Sequence, residues 1–345
     1  MKRLWLGLAL IAASSAILLL SDVDRGKSGP GQMPRVAVLQ HASQALLEEG
    51  VHGMLDGLAA SGFVAGKNII IDRFNAENDV ATANAIARQI TSGGYDLAMT
   101  SSTRSLQAVA NANRDGRLKH VFGIVADPSV AGVGVSKTDP LDHPKHLVGI
   151  GSFMPPDKAF RLARRMYPGL KSIGVAWNPS EANSEAFVVK AREACREMRL
   201  QLVEVAVDNS SAVGEATSSL VARGVDALWI GGDVTVLVGV DSAIAAARQG
   251  RIPVFSIIPP NIERGALFDL GTNFYTVGKE VGELAAQVLR GADLTKIPIR
   301  NVVPERLLIN RGALKGLKDP WQVPPDVIAS AQKVIDGTPA TGAQK

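Results

Sequence analysis

Five short polar clusters hold most of the side chains able to do chemistry: Gln40–Ser43, Thr100–Thr103, Ala126–Pro128, Trp177–Ser184 and Gly232–Thr235. Each follows an apolar run that reads as a strand, so each falls at a strand's C-terminal end. In open parallel sheets those ends line a crevice, and the helix starts that follow present N–H groups suited to anions. Taken singly, any of these residues also suits a helix N-cap, because Ser, Thr, Asn and Asp supply the oxygen a first helical turn needs. Five clusters at equivalent edges point to a pocket.

Asp233 is the sharpest candidate. Val234 and the run Val236–Val240 surround it with mostly apolar residues, so its carboxylate needs a partner or water. A ligand ammonium would satisfy it; capping the next helix is the alternative. Ser102 and Thr103 follow the corresponding strand in the other half of the chain. An acid opposite a hydroxyl-rich loop suits a zwitterion, with ammonium on Asp233, carboxylate on the Ser102–Thr103 loop, and Arg104 assisting. Asn178, Ser180 and Asn183 would orient the rest of the ligand, and Trp177 would stack on it or simply pack. Gln40, at the first strand's end, joins the same candidate pocket.

Enzymatic motifs are poor. No G-x-S-x-G elbow, P-loop or H-E-x-x-H occurs, and Gly132-Val-Gly134 and Gly149-Ile-Gly151 lack the third glycine of a dinucleotide fingerprint. His41 near Ser43 is the one nucleophile–base candidate, so a secreted α/β hydrolase is the enzymatic alternative. Asp142, His143 and His146 lie in a Pro-broken loop that reads as exposed turn chemistry rather than a metal site. Cys195, the single cysteine, shares an apolar helical stripe with Phe187, Val188, Ala191 and Met198. It reads as a buried, inert thiol. No cofactor and no metal are expected.

The elements that must position these clusters come in two copies. Residues 35–103 and 172–235 follow one plan of strand, helix, strand, helix, strand. The first opens on Arg35-Val-Ala-Val-Leu39 and the second on Ser172-Ile-Gly-Val-Ala176. Strands alternating with helical patterns predict parallel βαβ units, and two such halves predict two doubly wound α/β lobes facing each other across a cleft. The expected lobes are 35–150 with 275–300, and 153–271 with 305–330, leaving a tail over 331–345. The joining crossovers fall near Gly149–Phe153, Gly271–Asn273 and Ile299–Pro304. Gly265–Phe268 is expected to end the second sheet, and one helix is expected near 241–249.

At 345 residues, with 46% hydrophobic and 20% charged residues, the chain has the length and composition of two ordinary globular domains. Met1-Lys2-Arg3 and the largely apolar run Leu4–Leu20 read as a secretory leader or an uncleaved N-terminal anchor over 1–21, followed by a linker over 22–34. Setting Lys2 and Arg3 aside, acids and bases nearly balance, which is no footprint for nucleic acid.

At these residues the chain resembles the tryptophan/tyrosine-type family of ABC transporter substrate-binding proteins, of type I periplasmic-binding fold. The matching runs are Asn75–Asp79, Ser102-Thr103, Ala126–Pro128, Trp177–Ser184, Gly232-Asp233 and Ile309-Asn310, with Pro324-Pro325 behind them. The resemblance implies a secreted receptor, expected to be a monomer, that delivers a small, often amino-acid-like solute to a membrane permease. It maps the pocket onto Ser102, Thr103, Asp127, Asn178, Ser180, Asn183, Ser184 and Asp233. Arg104, Val234 and Leu47 depart from the family's usual proline, asparagine and aspartate, so the ligand is not carried over with the fold. A membrane-anchored sensor that docks a partner on closure is the second binding-protein reading.

Overall fold

Strands buried on both faces need apolar side chains throughout, and Leu97–Ser101 and Leu147–Gly151 are buried at every residue. The computed structural model describes residues 33–337. The expected leader and nearly all of the linker lie outside the described residues, as does the end of the tail. No helix of the described residues is long and apolar enough to cross a membrane.

The first lobe is built on β1 (Arg35–Gln40), β2 (Ile70–Asn75), β3 (Leu97–Ser101), β4 (Lys119–Val125) and β5 (Leu147–Gly151). The second repeats the plan with β6 (Ser172–Trp177), β7 (Gln201–Ala206), β8 (Ala227–Ile230), β9 (Val254–Ser256) and β10 (Phe268–Thr272). These strands stand side by side as 2-1-3-4-5 and 7-6-8-9-10, all parallel. The order reverses beside β1 and beside β6. Those two switch points are where a doubly wound sheet opens a crevice at its strands' C-terminal ends. This is a type I periplasmic-binding-protein-like fold.

The chain crosses between lobes three times. After β5 it enters the second lobe; after β10 the helix Phe274–Leu289 returns to the first; after β11 (Arg300–Asn301), which pairs with β5, it crosses back to β12 (Glu305–Asn310). The returning helix lies against the helix Ala45–Ala60 so closely that a Cβ on Gly53 would sit 2.2 Å from the Tyr275 carbonyl oxygen. A Cβ on Gly278 would sit 2.0 Å from that of Gly50. Glycine at these contacts is what lets the two backbones meet. The crossovers are tied to one another: the Asn301 side-chain amide accepts from Phe153 N–H at 2.7 Å and donates to its carbonyl at 3.1 Å, in the manner of a neighbouring peptide. Asn273 N–H donates to the Pro304 carbonyl at 2.8 Å.

Three expectations change. The second sheet does not end over Gly265–Phe268; β10 begins at Phe268 and pairs antiparallel with β12. The region expected as tail contributes β13 (Lys333–Ile335), parallel to β12 at the sheet edge. The single helix expected near 241–249 is preceded by a separate short one, Val234–Val238, set off at Gly239.

Candidate functional site

β3 is followed directly by Ser102, whose backbone sits at φ 126°, ψ 161°. That region is almost closed to non-glycine residues and costs about 1–3 kcal/mol, a strain that the surrounding structure must hold. The turn aims the helix Thr103–Ala112 at the opposite lobe. Ser102 Oγ accepts from Ser105 N–H at 3.1 Å, while Thr103 and Arg104 form the first turn, ahead of the first intrahelical bond from Leu106 N–H to the Ser102 carbonyl. The positive end of this helix and the Arg104 guanidinium therefore converge on the cleft.

Across from it, the ends of β6 and β8 are joined by two buried carboxylates. Asp233 Oδ2 accepts from Asn178 N–H at 2.6 Å and from the Ser184 hydroxyl at 2.5 Å; Oδ1 accepts from Val236 N–H at 2.8 Å, capping the helix Val234–Val238. Burial, and then the charge of Glu181, push the Asp233 carboxyl up to about 7. Glu181 accepts from the N–H groups of Val234 and Thr235 at 3.0 Å each, from the Thr235 hydroxyl at 2.6 Å and from Asn183 Nδ2 at 3.1 Å. Its fifth partner comes from the other lobe as an ion pair: Arg104 Nη2 lies 3.2 Å from Glu181 Oε1.

The cleft beside this pair draws its walls from both lobes. Ser102, Thr103, Arg104, Leu46, Leu47, Ile124 and Ala126 form one wall. Met154, Asn183, Phe187, Gly232, Val234, Leu237, Ile257 and Ile258 form the other, with Ser152, Thr272 and Phe274 at the crossovers. A second, more open cavity lies on the outer side of Arg104, lined by His41, Asn84, Gln107, Asn111 and Ser180 among others. His41 is fully buried there; burial, reinforced by Arg104, pulls its pKa down to about 4, so the ring is neutral.

Of the ten candidate residues, Ser102, Thr103 and Asn183 line the cleft and Ser180 lines the outer cavity. Asn178, Ser184 and Asp233 meet one another instead, as the network that holds the second wall. Asp233, on which an ammonium was expected, accepts from three protein donors, and its carboxylate is not among the cleft-lining groups. Three others are turned elsewhere. Gln40 donates to Glu48 at 2.5 Å, Asp127 accepts from Ser129 N–H and hydroxyl, and the Trp177 ring lies under the Arg192 guanidinium at 5.5 Å. The hydrolase pair does not form, since Ser43 Oγ engages Asn75 and Glu77 rather than His41. His143 Nε2 is bonded to the Ile297 carbonyl at 3.0 Å.

Glu181 is the functional residue that sequence reasoning missed. It stands immediately before the helix Ala182–Glu197 yet makes no cap bond to it, because it serves the start of a different helix some fifty residues on. An acid inside an otherwise neutral polar run was the available signal.

Two facing doubly wound lobes with a largely apolar, two-walled cleft at their switch points define a solute-binding protein of the periplasmic type. The sequence profile of the ABC transporter substrate binding protein family matches residues 35–335, and the chain belongs to that family. A tyrosine-binding protein of Clostridioides difficile is 30% identical over 294 residues, 85% of this chain and 84% of that one. Among solved structures, a conserved domain protein from Vibrio cholerae superposes with a TM-score of 0.82 at 29% identity, covering 88% of this chain and all of the other. A ligand-free, open substrate binding protein from Clostridium difficile gives 0.67 at 29% identity, over 88% of this chain and 99% of the other. An L-Trp complex from Streptococcus pneumonia has the same fold, with a TM-score of 0.82 at 24% identity, over 88% of this chain and all of that one. The family is one of substrate-binding proteins, and the two relatives from Clostridioides difficile are described as binding proteins.

Proposed function

We propose that the chain captures a small, carboxylate-bearing solute of amino-acid size between its lobes, and presents it outside the cytoplasm to the permease of an ABC importer. It acts as a monomer and catalyses no reaction. One observation carries the reading: the first turn of the helix Thr103–Ala112, with Arg104, faces an apolar wall contributed by the other lobe. Helix start, hydroxyls and guanidinium suit a carboxylate, and the apolar wall suits the rest of the solute. The relatives that bind tyrosine and L-Trp support a ligand of this size. The three crossovers, tied through Asn301 and Asn273, are the hinge about which the lobes close.

Mass spectrometry of the natively purified protein identifies the co-purifying compound. Small-angle scattering then follows the radius of gyration as the stripped protein is saturated with it. Compaction, together with loss of uptake of that compound in cells lacking the protein, is the expected result. A bound compound that leaves the shape and its own uptake unchanged overturns the reading.

A further inference from the structure

We propose that the cleft selects an apolar carboxylate lacking an α-ammonium group, an aryl- or branched-alkyl alkanoate, over the corresponding zwitterionic amino acid. The inference rests on the reading of the cleft as the solute site and names its substrate class.

Among the described residues that line the cleft, Arg104 is the only ionisable one. The two carboxylates nearest to it are spent: Glu181 on four protein donors besides Arg104, and Asp233 on three. An ammonium entering this space would leave water for walls of Leu47, Ile124, Phe187, Val234 and Leu237 with no free counter-charge, and with a guanidinium beside it. Burying such an unpaired charge is strongly unfavourable, and like charges add to the cost. A carboxylate meets the opposite field. Arg104 has five N–H donors in a planar fork and uses one end of it on Glu181, so it can hold a ligand carboxylate while keeping that contact.

A second observation concerns the rest of the ligand. Asn183 is 7% exposed and lines the cleft; its Nδ2 is committed to Glu181 and the Gly232 carbonyl, but its Oδ1 is buried with no partner. A buried acceptor without a donor is costly, and a neutral donor on the solute, a phenolic hydroxyl or an indole N–H, would satisfy it. The acids that fit this pairing are therefore hydroxyphenyl- and indolyl-alkanoates.

The test is calorimetry on the stripped protein with matched pairs: 3-(4-hydroxyphenyl)propanoate against tyrosine, 3-(indol-3-yl)propanoate against tryptophan, and 4-methylpentanoate against leucine. At least one acid is expected to bind about 30-fold or more tightly than its amino acid. Arg104→Met should weaken that acid by a similar factor and Arg104→Lys should recover part of the loss, with urea midpoints close to the parent's. An amino acid that binds as well as or better than its acid overturns the substrate class, as does undiminished acid binding by Arg104→Met. So does failure of every acid to bind below about 1 mM. A zwitterionic amino acid that co-purifies and closes the lobes would sink this inference while leaving the solute-binding reading intact; only the absence of ligand-driven closure and uptake sinks both.

Discussion

Arg104 and Glu181 meet at 3.2 Å across the cleft, one from each lobe, and they depend on each other unequally. Glu181 is fully buried and has four further donors within its own lobe, whereas among the described residues this is the one ion pair in which Arg104 takes part. The pair is thus a lobe-to-lobe contact built on a carboxylate that the second lobe needs for its own folding.

That asymmetry predicts the effects of truncation. Glu181→Ala orphans the first N–H groups of the helix Val234–Val238 and the Thr235 hydroxyl, and should cost about 2–5 kcal/mol. Arg104→Met leaves all those bonds in place and should change stability much less. Urea unfolding of the two variants beside the parent provides the comparison; equal losses would mean that the cross-lobe contact, not the internal one, is what Glu181 contributes.

Asp233 gives stability a pH dependence of definite sign. Its carboxyl is raised from 3.8 to about 7, by burial first and Glu181 second. Between about pH 4 and pH 7 the folded chain keeps a proton that the unfolded chain has released. The contribution of this group is therefore fully present below about pH 4 and is lost as the pH rises toward 7. Asp233→Asn should flatten that part of the stability curve relative to the parent, measured by urea unfolding across the window. A slope identical to the parent's would show the carboxylate ionised throughout.

Gly53→Ala reverses the usual effect of adding a methyl group to a helix. Alanine gains about 1 kcal/mol of helix propensity over glycine, but here its Cβ would stand 2.2 Å from a backbone oxygen of the returning helix. Backbone cannot step aside as a side chain can, so overpacking should dominate, with a net loss of about 1–3 kcal/mol. A lower melting temperature is expected by calorimetry, and a raised one would mean that the two helices separate without cost.

Cys195 should be inert in the folded protein. It is buried, and burial pushes its thiol up to about 12, so almost no thiolate exists at neutral pH. A disulfide-exchange reagent should titrate no thiol in native protein and one in urea; rapid labelling of the native form would contradict this.

The repeated strand–helix plan was legible because each long element carries its own period. Val36–Leu39 and Ile173–Ala176 are apolar without a break, and the stripe Leu47, Val51, Met54 and Leu58 is buried in the observed helix. What escaped local reading was short or dependent on a distant partner. β13 is three residues long at an edge and exists through pairing with β12; β10 continues past Phe268 because β9 and β12 flank it. Neither dependence leaves a mark in the segment itself.

Strand and helix periodicity, with chain order, suffice to put Ser, Thr, Asn and Asp of two doubly wound halves at facing strand ends. Which of those groups face the cleft is set by how the elements pack. Asn178, Ser184 and Asp233 are polar residues that follow their strands, as are Ser102, Thr103 and Asn183. The first three nevertheless satisfy one another, while the second three line the cleft. The difference is one of direction and distance between residues about fifty positions apart, such as Glu181 and Val234. A hydrogen bond of that span follows from packing two elements together, and residue type alone does not encode which polar group each one meets.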